Sequence, residues 1–323
     1  MKLIFYGVSA VEAPLIAAWT QRTGISVVSV PEALDATNID LTRGCTAICF
    51  YPSIAMQQHG EWFYRRLKAN GIKHLALKST GVDGIDFTLV HRLGLTVSNV
   101  PGYSPTSVGH FAVMSILMAL RRLPAGLHQA QRRSGPGREL GDVTVGIIGT
   151  GRIGSVVATA LVALGGHVIA YSHHRTPQLE GLVTYCGLDE LLAGADVVSL
   201  HVPLTPATHH LLDEAAFAKM RPDTMIVNTA RGGIIDTPAL IAALQAHHLG
   251  GAVLDTIENE ARYFATGWAD NPYCQALAAC DNVLVTPHVA YYTKRAVQEI
   301  TETVLANAAA ASQRRGAANM ITG

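Results

Sequence analysis

The sequence predicts two doubly wound α/β domains, each built on a parallel sheet, with a cleft between them. Three observations carry that expectation. A chain of 323 residues is too long for one ordinary core and suits two domains of about 100–200 residues each. Short β-branched and aliphatic runs alternate with helical patterns, as in a parallel sheet covered on both faces. A glycine-rich turn, Gly149-Thr150-Gly151-Arg152-Ile153-Gly154, joins one such strand to one such helix. Together they describe one flavodoxin-like and one Rossmann-like domain.

In the first third, Leu3–Tyr6, Ser26–Val30, Thr46–Tyr51, His74–Lys78 and Thr96–Val100 read as strands; Ala10–Trp19, Glu61–Asn70 and Phe87–Leu93 read as helices. The stretch SVGHFAVMSILMALRR, Ser107 to Arg122, is expected to be a helix buried on more than one side. A second strand series follows at Thr144–Ile148, Val168–Tyr171, Val197–His201, Met225–Asn228, Gly251–Asp255 and Val283–Thr286. That is the strand count of a full dinucleotide-binding sheet. Beyond His288 the chain turns helical from Thr293 to about Arg314 and ends in a polar, Ala-rich tail. The expected organisation is a domain inserted into a domain. Residues 1–102 plus 291–323 form a substrate domain, and residues 103–290 form the dinucleotide-binding domain.

An apolar content of 49% against 15% charged residues excludes a disordered chain. The 24 basic and 24 acidic residues balance, which leaves no footprint for nucleic acid or an anionic membrane. Cys45, Cys49, Cys186, Cys274 and Cys280 form no CxxC pair and are expected to be reduced thiols of a cytoplasmic protein that binds no metal. The apolar run after Met1 is too short for a signal peptide. Ser155 to Tyr171 carries no charge, but Gly165-Gly166 divides it into halves far short of a span of about 20 residues.

The glycine turn follows the strand TVGII and opens the helix SVVATALVAL, and this context makes it a dinucleotide site. Gly149 permits the tight turn, Gly151 admits the pyrophosphate to the backbone, and Gly154 lets helix and strand pack closely. An acidic residue about 20 positions on would accept hydrogen bonds from the ribose. Ser172 stands there instead, followed by His173, His174 and Arg175. A hydroxyl and a basic run tolerate a 2′-phosphate, so NADP is expected to serve alongside NAD.

Arg231, Glu260 and His288 sit where strands of the second series end. Singly they read as a loop charge, a solvated hairpin residue and a strand cap. Ligands of open α/β sheets bind beyond the carboxyl ends of the strands, so the three can converge there. After a nucleotide fingerprint, they supply what reduction of a 2-keto acid needs.

Several motifs in order resemble the D-isomer-specific 2-hydroxyacid dehydrogenase family over nearly the whole chain. They are STGVDGID, NVPGYSPTSV, VGIIGTGRIG, LHVPLTPATHHLL, VNTARGGIID and TPHVAYYT. DTIENEARYF and the run His288-Val289-Ala290-Tyr291-Tyr292 are similar to the fermentative and vancomycin-resistance D-lactate enzymes within it. The resemblance implies pyruvate and D-lactate as the substrate pair. It implies that Arg231 binds the substrate carboxylate and carbonyl, and that His288 is the acid–base residue. Glu260 would orient the imidazole and favour its protonated form. Backbone N–H groups of Thr80 and Gly81 would hold the carboxylate, and Tyr103 and Tyr291 would wall the substrate's methyl group. Cofactor contacts would come from Gly149, Gly151, Arg152, Ile153, Gly154, Ser172, Val202, Pro203, Thr208, Thr229, Ala230 and Asp255, the last at the nicotinamide carboxamide.

Three positions depart from the family pattern: Ser172, Lys78 where relatives carry Arg, and His110 where they carry an acid. Lys78 is expected to be a minor change of charge. A formate-dehydrogenase-like enzyme would lack Glu260, and a phosphoglycerate-type enzyme would want small residues where Tyr291-Tyr292 stands. Other 2-hydroxy acids, or a nucleotide-sensing binding module on the same fold, are the remaining alternatives. The helix around Phe111–Leu120 and the arm after it resemble a homodimer interface.

Overall fold

The computed structural model describes residues 1–52, 54–123, 136–263, 267, 270–313 and 319–321. They fall into two compact units, Met1–Ser104 with Tyr292–Gly323, and Pro105–Tyr291.

In the first unit, strands β1 (Lys2–Tyr6), β2 (Ser26–Val30), β3 (Ala47–Phe50), β4 (His74–Leu77) and β5 (Thr96–Ser98) pair in parallel in the order β2-β1-β3-β4-β5. This is the flavodoxin-like order. The central strands β3 and β4 are buried at every residue, which is why they read as mainly apolar runs without alternation. Helices α1 (Glu12–Thr23), α2 (Ile54–Ala69) and α3 (Phe87–Arg92) connect them. α2 begins earlier than the apolar pattern suggests, and Gly60 breaks it with φ 49° and ψ −132°. A further pairing was not anticipated: Met320–Ile321, in the tail, lies antiparallel on β5. Two residues are too few to carry a strand pattern; the open edge of β5 recruits them.

In the second unit, α4 (Pro105–Leu120) leads into strands β6 (Thr144–Ile148), β7 (His167–Tyr171), β8 (Thr184–Tyr185), β9 (Val197–Leu200), β10 (Met225–Asn228), β11 (Gly251–Leu254) and β12 (Val283–Val285). Their order is β8-β7-β6-β9-β10-β11-β12, all parallel. The Rossmann order is present, with seven strands where the sequence suggested six, because the two-residue β8 pairs with β7 without a hydrophobic run of its own. α5 (Arg152–Ala163), α6 (Leu188–Gly194), α7 (Glu214–Lys219), α8 (Thr237–Gln245) and α9 (Pro272–Ala278) flank the sheet. α10 (Lys294–Ser312) belongs to the first unit; the expected end of this helix at Arg314 and the arm after residue 123 lie outside the described residues. No helix among the described residues is long and apolar enough to cross a membrane.

Candidate active site

The glycine turn is a product of close packing. Gly149 has φ 95°, and a Cβ there would stand 2.7 Å from the His201 carbonyl oxygen. A Cβ on Gly154 would collide with the carbonyl oxygen of Gly149, so no larger residue lets α5 start this close to β6. Gly151 is different: the space beside its Cα is open, and it forms the N-cap of α5 with no side chain capping the helix. The first N–H groups of α5 are thereby left to an anion, which the helix dipole also favours. Thr150, 1% exposed, ties this turn to the segment after β7. Thr176 Oγ1 donates to its carbonyl oxygen, and its own hydroxyl lies 3.1 Å from the Tyr185 hydroxyl.

The residues expected to read the ribose follow β7. Ser172 is half-buried, while His173, His174 and Arg175 are exposed. The Arg175 guanidinium sits 5.4 Å from the centroid of the Tyr185 ring, and the His173 ring meets Tyr171 edge-on. Val202 packs its Cγ1 at Gly149, and Thr208 donates to the Pro203 carbonyl at 2.6 Å, closing the loop after β9. Thr229 is 7% exposed, and its Oγ1 has no hydrogen-bond partner among the described residues. An open glycine, an uncapped helix start and an orphaned buried hydroxyl beside Ala230 fit a bound dinucleotide.

Arg231 follows β10, and its backbone is set by Asn228. The Asn228 amide donates to the Arg231 carbonyl at 2.9 Å and accepts from Ala230 N–H at 3.0 Å. A Cβ on the next residue, Gly232, would run into the Ile257 carbonyl, so the turns after β10 and β11 are in contact. Glu260 opens a short 3-10 turn beyond Asn259, which takes φ 61°; its Oε2 accepts from Ile257 N–H at 3.1 Å. Its Oε1 lies 2.8 Å from His288 Nδ1, across a sequence gap of 28 residues. A carboxylate only accepts, so Nδ1 carries the hydrogen, and Nε2 is the nitrogen left to exchange a proton.

His288 has φ 52°, a left-handed conformation uncommon outside glycine, and Asp255 holds it there. Asp255 is 0% exposed. Its Oδ1 accepts from Thr286 Oγ1 at 2.6 Å and Val289 N–H at 2.9 Å, its Oδ2 from Ala290 N–H at 2.9 Å. Its carbonyl oxygen accepts the His288 N–H at 3.0 Å. Asp255, expected at the nicotinamide carboxamide, has a structural task of its own. Its carboxylate is buried and committed to the 286–290 loop, and it positions His288. Tyr291 meets the His288 ring edge-on at 6.2 Å between centroids.

In the first unit, Thr80 and Gly81 lie in the turn after β4. Thr80 Oγ1 donates to the Val100 carbonyl at 2.8 Å, and Asn99 donates to the Thr80 carbonyl at 2.7 Å. Tyr103 is half-buried in the same unit. Lys78 is no minor charge. It is 0% exposed, with Nζ 2.8 Å from Glu12 Oε1, donating to the Gly7 carbonyl at 3.0 Å, and 4.3 Å from the Phe5 ring centroid. Burial lowers its pKa while Glu12 opposes that shift. His110 is exposed, and nothing in the structure gives it a role.

Sequence reading also missed His201, at the end of β9. Its Nε2 lies 2.9 Å from Ser199 Oγ, and burial lowers its pKa to about 4. The signal was a histidine closing an apolar strand, which reads equally well as a ligand or as a filled core position.

Residues 113–290 match the family model of the NAD-binding domain of D-isomer-specific 2-hydroxyacid dehydrogenases. The chain belongs to this family. The dehydrogenase is 36% identical over 317 residues to a D-lactate/D-glycerate dehydrogenase of Pediococcus acidilactici, covering 95% of each chain. It is 37% identical to a D-lactate dehydrogenase of Lactiplantibacillus plantarum, covering 93% of each. Its fold matches the crystal structure of a D-lactate dehydrogenase with NAD+ from Lactobacillus jensenii with a TM-score of 0.83, at 34% identity and full coverage of both chains. The dehydrogenase is thus an NAD-dependent enzyme acting on D-2-hydroxy acids.

Proposed function

We propose that the enzyme interconverts pyruvate and D-lactate, with Arg231, Glu260 and His288 as its working residues. The observation that carries this reading is the 2.8 Å contact of His288 Nδ1 with Glu260, in a loop that Asp255 clamps. Bound nicotinamide dinucleotide supplies or accepts the hydride. The planar fork of Arg231 holds the substrate carboxylate. His288 gives the proton of Nε2 to the carbonyl oxygen as the alcohol forms, and takes it back in the reverse direction. Glu260 keeps the imidazole in the required tautomer and stabilises its cation. Tyr291, edge-on to His288, walls a small side chain such as a methyl group, and the names of the relatives support the same assignment.

NADPH is proposed to serve beside NADH. Ser172 places no carboxylate against a 2′-phosphate, which removes a repulsion of order 1–3 kcal/mol at an effective dielectric near 20. Arg152, Ile153 and the other glycine-turn residues hold the pyrophosphate common to both. A panel of pyruvate, 2-ketobutyrate, 2-ketoisocaproate, hydroxypyruvate and glyoxylate, each with NADH and NADPH, tests both points. Pyruvate is expected to give the highest kcat/KM, and NADPH to reach at least about a tenth of the NADH value, the Ser172→Asp variant losing that ability. A thousandfold preference for NADH in the unaltered enzyme refutes the dual use.

The exposed Met114 and Leu117 on α4, 45% and 36% exposed, support a homodimer built on this helix. None of the five cysteines is in a disulfide, which supports a reducing, cytoplasmic setting.

A further inference from the structure

Three consecutive loops at the carboxyl edge of the second sheet bring together a set of donors that the proposed reaction does not use. His209 and His210 follow β9, Asp236 follows β10 and Glu258 follows β11. One ligand atom each from His209, His210 and Glu258 lies within 4.8 Å of the other two. His210 Nε2 is 2.9 Å from Glu258 Oε1, and the rings of the two histidines stack with centroids 3.9 Å apart. Asp236 Oδ2 approaches the other nitrogen of His210, Nδ1, at 3.7 Å.

The backbone builds this arrangement. His209 N–H donates to the Thr205 carbonyl and His210 N–H to the Gly233 carbonyl, both at 2.9 Å. His210 takes φ 50°, the left-handed region that a histidine seldom enters. Leu212 bridges Ile235, and Gly232 lies against Ile257, so all three loops are locked together before any ligand arrives. Glu258 is 17% exposed, Asp236 and His210 about a third exposed, and His209 exposed, so the cluster has an open side.

We propose that His209, His210 and Glu258 bind a divalent transition metal of zinc-like softness, with Asp236 orienting His210. Two imidazoles and one carboxylate are the donor set of Zn2+ and its neighbours, whereas Mg2+ and Ca2+ want oxygen throughout. A tetrahedral ion with ligands near 2.1 Å holds donors about 3.4 Å apart, between the 2.9 and 4.8 Å present. Side-chain torsions alone can close that difference, and water fills the remaining position on the exposed side. Asp236, 3.7 Å from His210 Nδ1, stands where a small rotation would complete the carboxylate–histidine–metal relay that fixes a ligating imidazole. The ion clasps the loop of Thr208 to the loop of Glu260, so its binding stabilises the second unit.

The test uses the full chain stripped with a chelator, then titrated with ZnCl2 by calorimetry and with Co2+ by absorption. One tight equivalent of Zn2+ and a tetrahedral Co2+ spectrum are expected, with a rise in unfolding temperature on adding zinc. H209A and E258Q should lose the equivalent, the spectrum and the thermal shift together. D236N should weaken binding by about tenfold. H173A/H174A and C274S/C280S, which remove the competing surface donors, should retain all three signals. No tight equivalent in the unaltered chain, or zinc held equally by H209A and E258Q, overturns the site. Loss of zinc in H173A/H174A or C274S/C280S instead moves the ion elsewhere and overturns it as well.

Discussion

Glu12 in the first unit and Asp255 in the second are both buried acids near the carboxyl edge of a parallel sheet, 6% and 0% exposed, yet they are satisfied by different partners. Glu12 is held by a lysine ammonium and by the N–H and hydroxyl of Ser9. Asp255 meets no cation among the described residues; it takes two successive backbone N–H groups and a threonine hydroxyl. An ammonium is a nearly isotropic charge. It joins the ends of β1 and β4 and the start of α1 without fixing any one dihedral angle. A carboxylate bound to successive N–H groups dictates the path of the backbone, and here that path carries His288 at φ 52°. The first device braces strand ends; the second aims a single side chain.

The largest expected effect comes from removing what the second device aims. His288→Ala should lower kcat for pyruvate reduction by about 10²–10⁴-fold while cofactor affinity holds. Near-normal turnover takes His288 out of the mechanism.

Next is the bracing pair. Lys78→Met leaves the Glu12 carboxylate buried without its cation and should cost about 3–5 kcal/mol in urea unfolding. The double change Lys78→Met with Glu12→Leu should recover most of that loss. If the double variant stays as unstable as the single one, Lys78 acts through its packing on Phe5 and its bonds to backbone carbonyls.

Asp255→Asn should preserve His288 but turn an amide NH2 toward an N–H donor in the 286–290 loop. A displacement of about 1 Å there costs roughly 10²-fold in kcat, with substrate KM changing less. A loss equal to that of His288→Ala would mean the carboxylate does more than position the imidazole.

The smallest effect concerns a buried base in the first unit. His74 is 1% exposed between the hydroxyls of Thr96 and Ser98, and burial lowers its pKa to about 4. The unfolded chain, with an ordinary histidine near 6.5, binds the proton first. Stability is therefore complete above that value and falls as pH drops toward 4. The loss should reach about 2 kcal/mol at pH 5. Unfolding curves at pH 5 and pH 8 measure it, and His74→Gln should shrink the difference by about that amount while His201 keeps its own share. An equal difference in that variant assigns the acid sensitivity to other groups, His201 first.

Local pattern was enough for the strands of both sheets and for the glycine turn, because a strand buried on both faces must be a continuous apolar run. It was not enough for β8 or for Met320–Ile321, which become strands only because an existing edge pairs with them. Arg231, Glu260 and His288 were legible for a related reason: charged or titratable residues ending apolar strands stand out. How they are held was not legible. Asn228 and Asp255 look like ordinary polar residues until the chain folds.

By itself, then, the sequence determined the two parallel sheets and the nucleotide turn and singled out the three side chains proposed to do the chemistry, since these depend on periodicity and residue type. Tertiary structure alone decided that Asp255 clamps the loop of His288, that Lys78 is an ion pair of the interior, and that His209, His210 and Glu258 meet. Each is an interaction between loops or strand ends far apart in the chain. Its partner is chosen by the order of strands in the sheet, which sequence distance does not encode.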